Sequence, residues 1–406
     1  MRRVVVTGMG IVSPIGNSKA EVLQSLRTCR SGIVFVPEMK EWGFKCQVAG
    51  LVRGFDATRI SKRPLQTMPE VARYAAAAAL EAIRDAEVPP ASLRSHRVGV
   101  VLGTEAGGIG EITKVESALR VRKPSRLGAT GAVKLMGATA ALNLATWLGI
   151  QGRCYSLTSA CATGTDAIGH AFELIRSGLL DLCLCGGAEE RSWRLGWGFC
   201  DNLGMSSAFN MQPDKACRPY DRDRQGMVVA EGAGVLALED MEQAKSRGAH
   251  IYAEVIGYGS ANNGADIFEP NGDGLSRCLE AALRMATDHG HIQVDYVNPH
   301  GVGSKVGDAI EVQVIREVLG PSAPFVSSTK GLNGHSMSAA GAHEAIFTLL
   351  MLRHDFVAPT VNLDHIAPEC EGIRHVRSVL QTPMETAMSF NAGLGGTNAC
   401  LIFKKL

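Results

Sequence analysis

Apolar residues follow two recurring patterns along the chain: short runs rich in branched side chains, and longer segments in which they recur with the period of a helix. The short runs predict strands at 3–10, 97–102, 152–157, 181–185, 232–238, 250–257 and 296–298. The longer segments predict helices at 20–26, 69–86, 132–148, 167–175, 242–247, 275–287, 308–319 and 339–350. Strands and helices therefore alternate, which is typical of an α/β protein whose parallel sheet is covered by helices on both faces.

The order of these elements restarts near residue 250. From there a strand, a glycine loop, a helix, a second strand and a second helix follow one another, in parallel with the first part of the chain. We therefore expect two similar halves, residues 1–250 and 251–406. No flexible linker separates them, so we expect the halves to share one core rather than to move independently.

Composition narrows the class of partner. The 46 glycines among 406 residues exceed the usual share of about 7%, so much of the backbone must pack closely or turn sharply. The net charge of +1, with no run of like charges, indicates neither nucleic acid nor an anionic membrane surface. The N-terminus has no signal-peptide core and no segment approaches the ~20 apolar residues of a membrane span, so we expect a cytoplasmic protein.

Cysteine and glycine spacing argues against two common kinds of bound group. The 11 cysteines are scattered, with no CxxC pair and no Cys/His spacing of the zinc type, so we expect reduced thiols and no structural metal of that class. Gly107, Gly108 and Gly110 do not have the G-x-G-x-x-G spacing of a dinucleotide site. We expect no resident cofactor.

Cys161 is the candidate nucleophile. It lies between the strand-like segment 152–157 and the predicted helix that ends at Gly178. Peptide N–H groups and the positive end of the helix dipole would lie beside its sulfur and favour the thiolate. A small buried hydrophobe is the alternative interpretation, because most free cysteines are of that kind.

Polar groups also stand where later elements begin or end. His300 follows the strand 296–298, and Lys330 and His335 precede the helix 339–350. The N-terminus of that helix would keep His335 neutral and able to donate one hydrogen bond. A final motif, 389–398, takes a strand through a glycine turn whose N–H groups could face a reacting carbonyl. Its alternative interpretation is a β-hairpin without a function.

Together these motifs resemble the β-ketoacyl-[acyl carrier protein] synthases of the elongating type, most closely the type I enzymes of bacterial fatty-acid synthesis. The matching segments are Arg3-Val4-Val5-Val6-Thr7-Gly8, Ser159-Ala160-Cys161-Ala162-Thr163, Gly186-Gly187-Ala188-Glu189-Glu190, Ile251-Tyr252-Ala253-Glu254, Val306-Gly307-Asp308, Gly334-His335-Ser336 and Gly395-Gly396-Thr397-Asn398. The resemblance implies a thiolase-type fold, two similar α/β halves in a five-layered α-β-α-β-α body, and a homodimer.

The resemblance also implies roles for individual residues. Cys161 would accept an acyl chain from acyl carrier protein, with an oxyanion hole made of its own N–H and that of Leu394. His300 and His335 would bond the thioester oxygen of malonyl-acyl carrier protein as carbon dioxide leaves, giving two-carbon elongation. The phosphopantetheine group would arrive on the carrier protein.

Other implied positions are supporting ones. Lys330 would act electrostatically through Glu311. The remaining supporting residues are Asp308 and Phe390, and a structural cation would be held by Asn298, Glu344 and Ser389.

Two departures from the family pattern stand out. The usual Phe-Gly-Phe-Gly-Gly gate is replaced by a turn in which Ala392 and Leu394 take the aromatic positions. The loop after His300, on the pantetheine side, reads Val302-Gly303-Ser304 and lacks a hydroxyl found in relatives. We therefore hypothesise a specialised ketosynthase of a polyene or polyketide pathway, admitting a stiffer or bulkier chain.

Two alternatives remain. A degradative thiolase would need a second cysteine near the C-terminus, whereas Cys400 lies inside a predicted strand. A non-catalytic chain-length partner would lack the nucleophile, whereas this chain has Cys161 and both histidines. A catalytic chain that works in a heterodimer with such a partner is compatible with the sequence.

Overall fold

The computed structural model describes residues 1–191, 197–206, 208–290, 292–320 and 324–406. Its strands are β1 (Val4–Val12), β2 (Ile33–Phe35), β3 (Val48–Gly50), β4 (Val98–Gly103), β5 (Cys154–Tyr155), β6 (Leu182–Glu189), β7 (Gly232–Asp240), β8 (Ala253–Asn262), β9 (Tyr296–Asn298), β10 (Phe325–Val326), β11 (Phe356–Val357), β12 (Arg374–His375), β13 (Leu380–Gln381), β14 (Thr386–Ala392) and β15 (Thr397–Lys404). Its α-helices are α1 (Lys19–Thr28), α2 (Pro37–Glu41), α3 (Lys62–Leu65), α4 (Glu70–Asp85), α5 (Ile112–Arg120), α6 (Gly131–Leu135), α7 (Thr139–Leu148), α8 (Thr163–Arg176), α9 (Gly198–Asn202), α10 (Met241–Ser246), α11 (Asp273–Ala286), α12 (Lys305–Leu319), α13 (Lys330–Asn333) and α14 (Ala340–Arg353).

The two halves meet in one sheet. Eleven described strands run in the order β12-β10-β9-β14-β15-β8-β1-β7-β6-β4-β5, and the antiparallel pairing of β1 with β8 joins the halves. Outward from that junction, β1-β7-β6-β4-β5 mirrors β8-β15-β14-β9-β10, so the prediction of two similar halves is confirmed. Their division at residue 250 stays a prediction.

The expectation of a parallel sheet is only partly right. Strands β4, β5 and β6 pair in parallel, as do β9, β10, β12 and β14. The pairs nearest the junction, including β6 with β7 and β14 with β15, are antiparallel. A hairpin explains the second of these, because only the short glycine turn at 393–396 connects β14 to β15 and a parallel crossover needs a dozen residues or more.

The predicted five layers are confirmed. Helices α4 and α7 cover the outer face of the first half, and α11 and α12 cover that of the second. Helices α8 and α14 lie between the two parts of the sheet and contact both. A single apolar core therefore runs through both halves, and includes Ile168 of α8 and Phe347 of α14, each 0% exposed.

Most predicted elements are confirmed, and the differences have local causes. The predicted helix 132–148 is two helices, broken at Met136, whose backbone is extended (φ −62°, ψ 135°). The helix expected from Asp308 begins three residues earlier at Lys305, because the Ser304 hydroxyl accepts a hydrogen bond from the N–H of Gly307 at 3.2 Å and caps it. The strand expected to end at Cys185 continues through two glycines to Glu189.

Helices α8 and α14 cross at their first turns, where each presents a glycine. A Cβ on Gly164 would lie 2.7 Å from the backbone N of Ala342. One on Gly341 would lie 2.0 Å from Thr165 Oγ1 and 2.5 Å from the backbone N of Thr165. No real Cβ makes such contacts, so the crossing requires glycine at both positions.

The residue three positions before each of these helices has a left-handed backbone. Ala160 precedes α8 with φ +51°, and Met337 precedes α14 with φ +47°. Such angles are uncommon outside glycine and persist where surrounding structure holds them. The two halves thus enter their central helices through similar strained turns. No described helix is long and apolar enough to cross a membrane.

The crossing makes a testable demand on stability. Gly341→Ala should lower the free energy of unfolding by about 1–3 kcal/mol or more, because the added methyl overlaps backbone that cannot move without separating the helices. Urea denaturation followed by circular dichroism measures it. Gly131→Ala is the matched control, since a Cβ there meets no atom within 4 Å. Equal stability of the two variants would contradict the tight crossing.

Candidate active site

Cys161, His300 and His335 line one cavity of about 900 Å³. Ala392, Leu394, Val302 and Ser304, all predicted from the sequence, line it too. The halves contribute unequally: the nucleophile comes from the first, and both histidines come from the second. The structure therefore brings the main predicted residues together.

The strained turn at Ala160 presents Cys161. Helix α8 begins two residues later, and the hydroxyl oxygen of Thr163 accepts a hydrogen bond from the N–H of Ser159 at 2.8 Å. From the other half, Thr397 donates its hydroxyl to the carbonyl of Ser159 at 2.8 Å. Both contacts fix the backbone on the N-terminal side of the cysteine, so the sulfur is held at the cavity wall.

The expectation that the helix end favours a thiolate is wrong for the resting protein. Burial first and the charge of Glu105 second raise the pKa of Cys161 to about 12. Lys330 and the N–H of Leu394 act in the opposite direction but do not compensate. The sulfur is therefore a thiol at neutral pH, and its proton must leave during any attack on a thioester.

The glycine turn after β14 lies against the cysteine, so it is more than a simple hairpin. The N–H of Leu394 faces the sulfur of Cys161, and a Cβ on Gly393 would lie 3.1 Å from the backbone N of Cys161. The turn is closed by a hydrogen bond from the N–H of Gly393 to the carbonyl of Thr397 at 2.6 Å. The two N–H groups predicted to form an oxyanion hole are thus neighbours.

The two histidine rings lie edge to face, with centroids 5.2 Å apart and planes at 88°. Burial lowers the pKa of His335 well below its ordinary value, and Lys330 adds to the effect. The pKa of His300 falls for the same reasons and because His335 is near. Both rings are therefore neutral, as predicted for His335, but burial is the main cause.

His335 is fixed by its backbone and free at its ring. Its N–H donates to the carbonyl of Val228 at 2.7 Å, and its carbonyl accepts from the N–H of Ala230 at 2.8 Å. Neither ring nitrogen has a hydrogen-bond partner among the described residues, although the side chain is only 1% exposed. A buried, unpartnered donor facing a cavity is suited to a ligand oxygen.

Lys330 makes its direct ion pair with Glu344, and its charge also acts on Glu311, where it lowers the pKa. Its ammonium group bonds Glu344 and donates to the backbone carbonyl of His300 at 2.5 Å. Asn391 donates its amide to the other oxygen of Glu344 at 2.7 Å and accepts from the hydroxyl of Thr165 at 2.6 Å. This buried network ties both halves to His300.

Sequence reasoning did not single out Asn391 or Thr165. Asn391 lies inside the motif 389–398, and Thr165 lies two residues beyond the motif that ends at Thr163. Their positions in the sequence carry no signal of a shared network, because the hydrogen bond between them joins α8 to β14 across 226 residues of chain.

Glu311 and Asp308 hold the loop after His300 by accepting hydrogen bonds from its backbone. Glu311 accepts the N–H of Gly301 at 3.1 Å and the hydroxyl of Tyr220. Asp308 accepts the N–H groups of Gly303 and Ser304 at 3.2 and 3.1 Å. Burial raises the pKa of Glu311 to about 8, and the charge of Asp308 adds to this.

Phe390 does not line the cavity. It is 0% exposed and belongs to the apolar cluster between the second half of the sheet and α11, so the prediction of a supporting role in the site is not met by its position. Side chains alternate along a strand, and Asn391, the next residue of β14, is the one that faces the network.

Val302, Ala392 and Leu394 line a second cavity of about 230 Å³ as well as the first. Ile267 and Phe268, which are 58% and 61% exposed, lie on its far side. Gly303, the residue after Val302, is not among the lining residues of either cavity, and its carbonyl accepts the N–H of Gly226 at 2.9 Å. The residues that depart from the family pattern therefore form the partition between the two cavities.

The suggested cation position is only partly suited to a cation. Asn298 and Ser389 are cross-strand neighbours, and each has a buried side-chain oxygen without a hydrogen-bond partner among the described residues. Glu344, the third predicted ligand, already pairs with Lys330, so only two neutral oxygens remain for an ion. The described residues contain no group of three or more His, Cys, Asp or Glu side chains that could hold a metal.

The ion pair of Lys330 with Glu344 gives a second prediction. Lys330→Met should lower the free energy of unfolding by about 3–5 kcal/mol, because Glu344 is 2% exposed and would be left charged without its partner. Combining it with Glu344→Gln should recover most of that loss in urea denaturation. Lys405→Met, which removes a partly exposed pair with Asp355, is the control and should cost less than about 1 kcal/mol. A loss no larger than the control's would contradict the pairing.

Comparisons with known proteins agree with this geometry. Models of the β-ketoacyl synthase N-terminal and C-terminal domains match residues 1–244 and 252–364. The chain is 40% identical, over all of its length and 99% of the relative's, to 3-oxoacyl-[acyl-carrier-protein] synthase 1 of Haemophilus influenzae. Two solved structures are similar over the whole chain at 33% identity: a β-ketoacyl synthase from Burkholderia phymatum, with a TM-score of 0.95 and all of that chain covered, and the ishigamide ketosynthase/chain length factor, with a TM-score of 0.92 and 99% covered. The chain belongs to the β-ketoacyl synthase family.

Proposed function

We propose that the protein is a 3-oxoacyl-[acyl carrier protein] synthase that joins malonyl-acyl carrier protein to an acyl group held on Cys161, lengthening it by two carbons. The observation that supports this most directly is the single cavity in which Cys161 faces two neutral histidines. Its relative in Haemophilus influenzae is named as a 3-oxoacyl-[acyl-carrier-protein] synthase, which supports the same reaction and the same carrier protein. The chain itself supplies every side chain that the reaction uses, and the phosphopantetheine arm arrives on the carrier.

The first step is acyl transfer. The sulfur of Cys161 attacks the thioester carbonyl of acyl-carrier protein, the bond to the pantetheine sulfur breaks, and the cysteine's proton passes to that leaving thiolate. The N–H groups of Cys161 and Leu394 stabilise the oxyanion that forms in between. Because the pKa of Cys161 is high, the thiol carries this proton before the attack, and the proton then neutralises the leaving pantetheine thiolate.

The second step is loss of carbon dioxide from the malonyl group. The carbon–carbon bond to the carboxylate breaks, and its electron pair forms an enolate on the thioester oxygen. His335 and His300 stabilise that charge by donating ring N–H groups. Asn391 fixes the proton on His300: its amide nitrogen lies 3.4 Å from Nδ1, so Nδ1 accepts and the proton is on Nε2.

The third step is condensation. The enolate carbon attacks the Cys161 thioester, the carbon–sulfur bond breaks, and the cysteine thiolate takes up a proton from solvent. Products are the 3-oxoacyl-carrier protein, carbon dioxide and the free thiol. Because the resting pKa of Cys161 is about 12, the released thiolate is reprotonated at neutral pH and does not remain as a nucleophile toward the new product.

The wall between the cavities favours a specialised pathway of polyene or polyketide type. Ala392 and Leu394 occupy it where relatives carry aromatic rings, and Leu394 is 47% exposed. Similarity to a ketosynthase/chain length factor structure supports the related possibility that this chain acts beside a non-catalytic partner. The thiolase alternative is disfavoured, because Cys400 is 0% exposed and lies in the outer core, away from Cys161.

The reaction is tested with carrier-protein substrates and intact-mass analysis. Wild-type protein should gain one acyl group on Cys161, and Cys161→Ala should gain none and make no product. His335→Ala should still be acylated but lose about 10²–10³-fold in condensation, because the enolate loses a donor. Cys29→Ala and His170→Ala, both outside the cavity, are the controls. An acylated Cys161→Ala protein, or full condensation by His335→Ala, would overturn the assignment.

Quaternary composition tests the heterodimer. Native mass spectrometry of the protein purified without a tag from its own cells should show either two copies of this chain or one copy with a similar-sized partner. The recombinant chain alone should condense substrates if the homodimer is the working form. Activity that appears only after the partner is added would establish the second possibility.

A further inference from the structure

The cavity wall near Cys161 carries two carboxyl groups that the proposed reaction does not use. Strands β4 and β6 are parallel neighbours, and Gly103 of the first pairs with Gly187 of the second. Glu105 and Glu189 each follow two residues later, so the register places them side by side at one edge of the sheet. Both line the same cavity as Cys161.

Hydrogen bonding shows how this pair carries its charge. The hydroxyl of Ser338 lies 2.7 Å from the carbonyl oxygen of Ala188 and 2.6 Å from Glu189 Oε2. One hydroxyl proton serves only one of these acceptors, so Glu189 supplies the other proton and is a neutral acid. Its pKa is raised well above the ordinary value, by burial first and by the charge of Glu105 next. Burial also raises the pKa of Glu105, but less than that of Glu189, so Glu105 is the member of the pair that ionises first.

Glu105 is available to a ligand. Its side chain is exposed to the cavity, and it makes no hydrogen bond or ion pair with any described residue. Its charge raises the pKa of Cys161, which places the carboxylate within electrostatic range of the sulfur. Cys161 therefore shares its cavity with a carboxylate that has no partner among the described residues.

Trp197 adds a donor to the same wall. The side chain lines the cavity and is 1% exposed, and its Nε1–H has no hydrogen-bond partner among the described residues. An indole N–H is a donor only and normally has a partner when it is buried. A purely hydrocarbon chain that filled the cavity would leave the indole without an acceptor and would displace water from the carboxylate.

We propose that Glu105 and Trp197 form a polar subsite for a hydroxyl group on the acyl chain held by Cys161. A hydroxyl donates its proton to the Glu105 carboxylate and accepts from the Trp197 indole with one oxygen atom. A carboxylate substituent is repelled by Glu105, and an ammonium group cannot accept from the indole. The inference rests on the proposed function and specifies its acyl substrate.

Substrate competition tests the subsite in the full-length protein. The probes are octanoyl-, 3-hydroxyoctanoyl- and 8-hydroxyoctanoyl-carrier protein, with kcat/KM for acylation of Cys161 followed by intact mass. Wild-type protein should prefer at least one hydroxylated chain over octanoyl by about 10-fold or more, because a site built to bind a hydroxyl discriminates against its absence. No preference for either hydroxylated chain overturns the inference.

Variants connect any preference to these residues. Glu105→Leu should remove the preference and accelerate octanoyl transfer, and Glu105→Gln should reduce it. Trp197→Phe keeps an aromatic ring and should also reduce it. Glu116→Gln, on the exposed surface of α5, is the matched control and should keep the wild-type ratio. A preference unchanged in both Glu105→Gln and Trp197→Phe overturns the subsite.

The two proposals fail in different ways. Normal octanoyl transfer without hydroxyl preference overturns the subsite and leaves the proposed function intact. No acylation of Cys161 from any of the three probes overturns both. Thermal melting of each variant shows whether a lost activity reflects unfolding, and because octanoyl transfer is predicted to rise in Glu105→Leu, a folded variant gives a positive signal.

Discussion

The glycine crossing of α8 and α14 is the contact on which the site depends. At Gly164 and Gly341 the helices touch backbone to backbone, which brings the turn before α8 close to the turn before α14. Cys161 lies on the first turn and His335 shortly before the second. Any side chain at the crossing would separate Cys161 from His335, so close packing here is a geometric condition for the proposed reaction.

Electrostatics follow from this burial. A cavity between two packed halves disfavours every unpaired charge, which keeps Cys161 protonated and both histidines neutral. Lys330 can remain charged there because Glu344 neutralises it. Its ammonium group, which bonds the backbone carbonyl of His300, adds to the effect of burial in keeping both histidines neutral.

The sequence predicts the architecture and the main site residues, because the signals for both lie in short segments of the chain. Periodicity and glycine turns located the strands and helices, and the motifs around Cys161 and His335 placed both at helix starts. What it could not show were contacts made by folding. The pairing of Lys330 with Glu344 is one such contact, because spacing does not reveal which helix passes beside the ammonium group.

 The carboxylate that reaches Lys330 is Glu344 of α14, fourteen residues further along the chain. The prediction of a thiolate at Cys161 from the helix dipole was wrong for a similar reason, because the sequence pattern does not show how far the sulfur is removed from water.

The matching turns at Ala160 and Met337 differ in what the following side chain contacts. Position 161 holds the cysteine, and the equivalent place before α14 holds Ser338, whose hydroxyl bonds Ala188 and Glu189 of the first half. The turn before α8 therefore presents the sulfur of Cys161 to the cavity, whereas the turn before α14 uses the Ser338 side chain to connect the halves. Neither half contains a complete site, so this chemistry belongs to the joined pair and would be lost by any ancestor or fragment that kept only one of them.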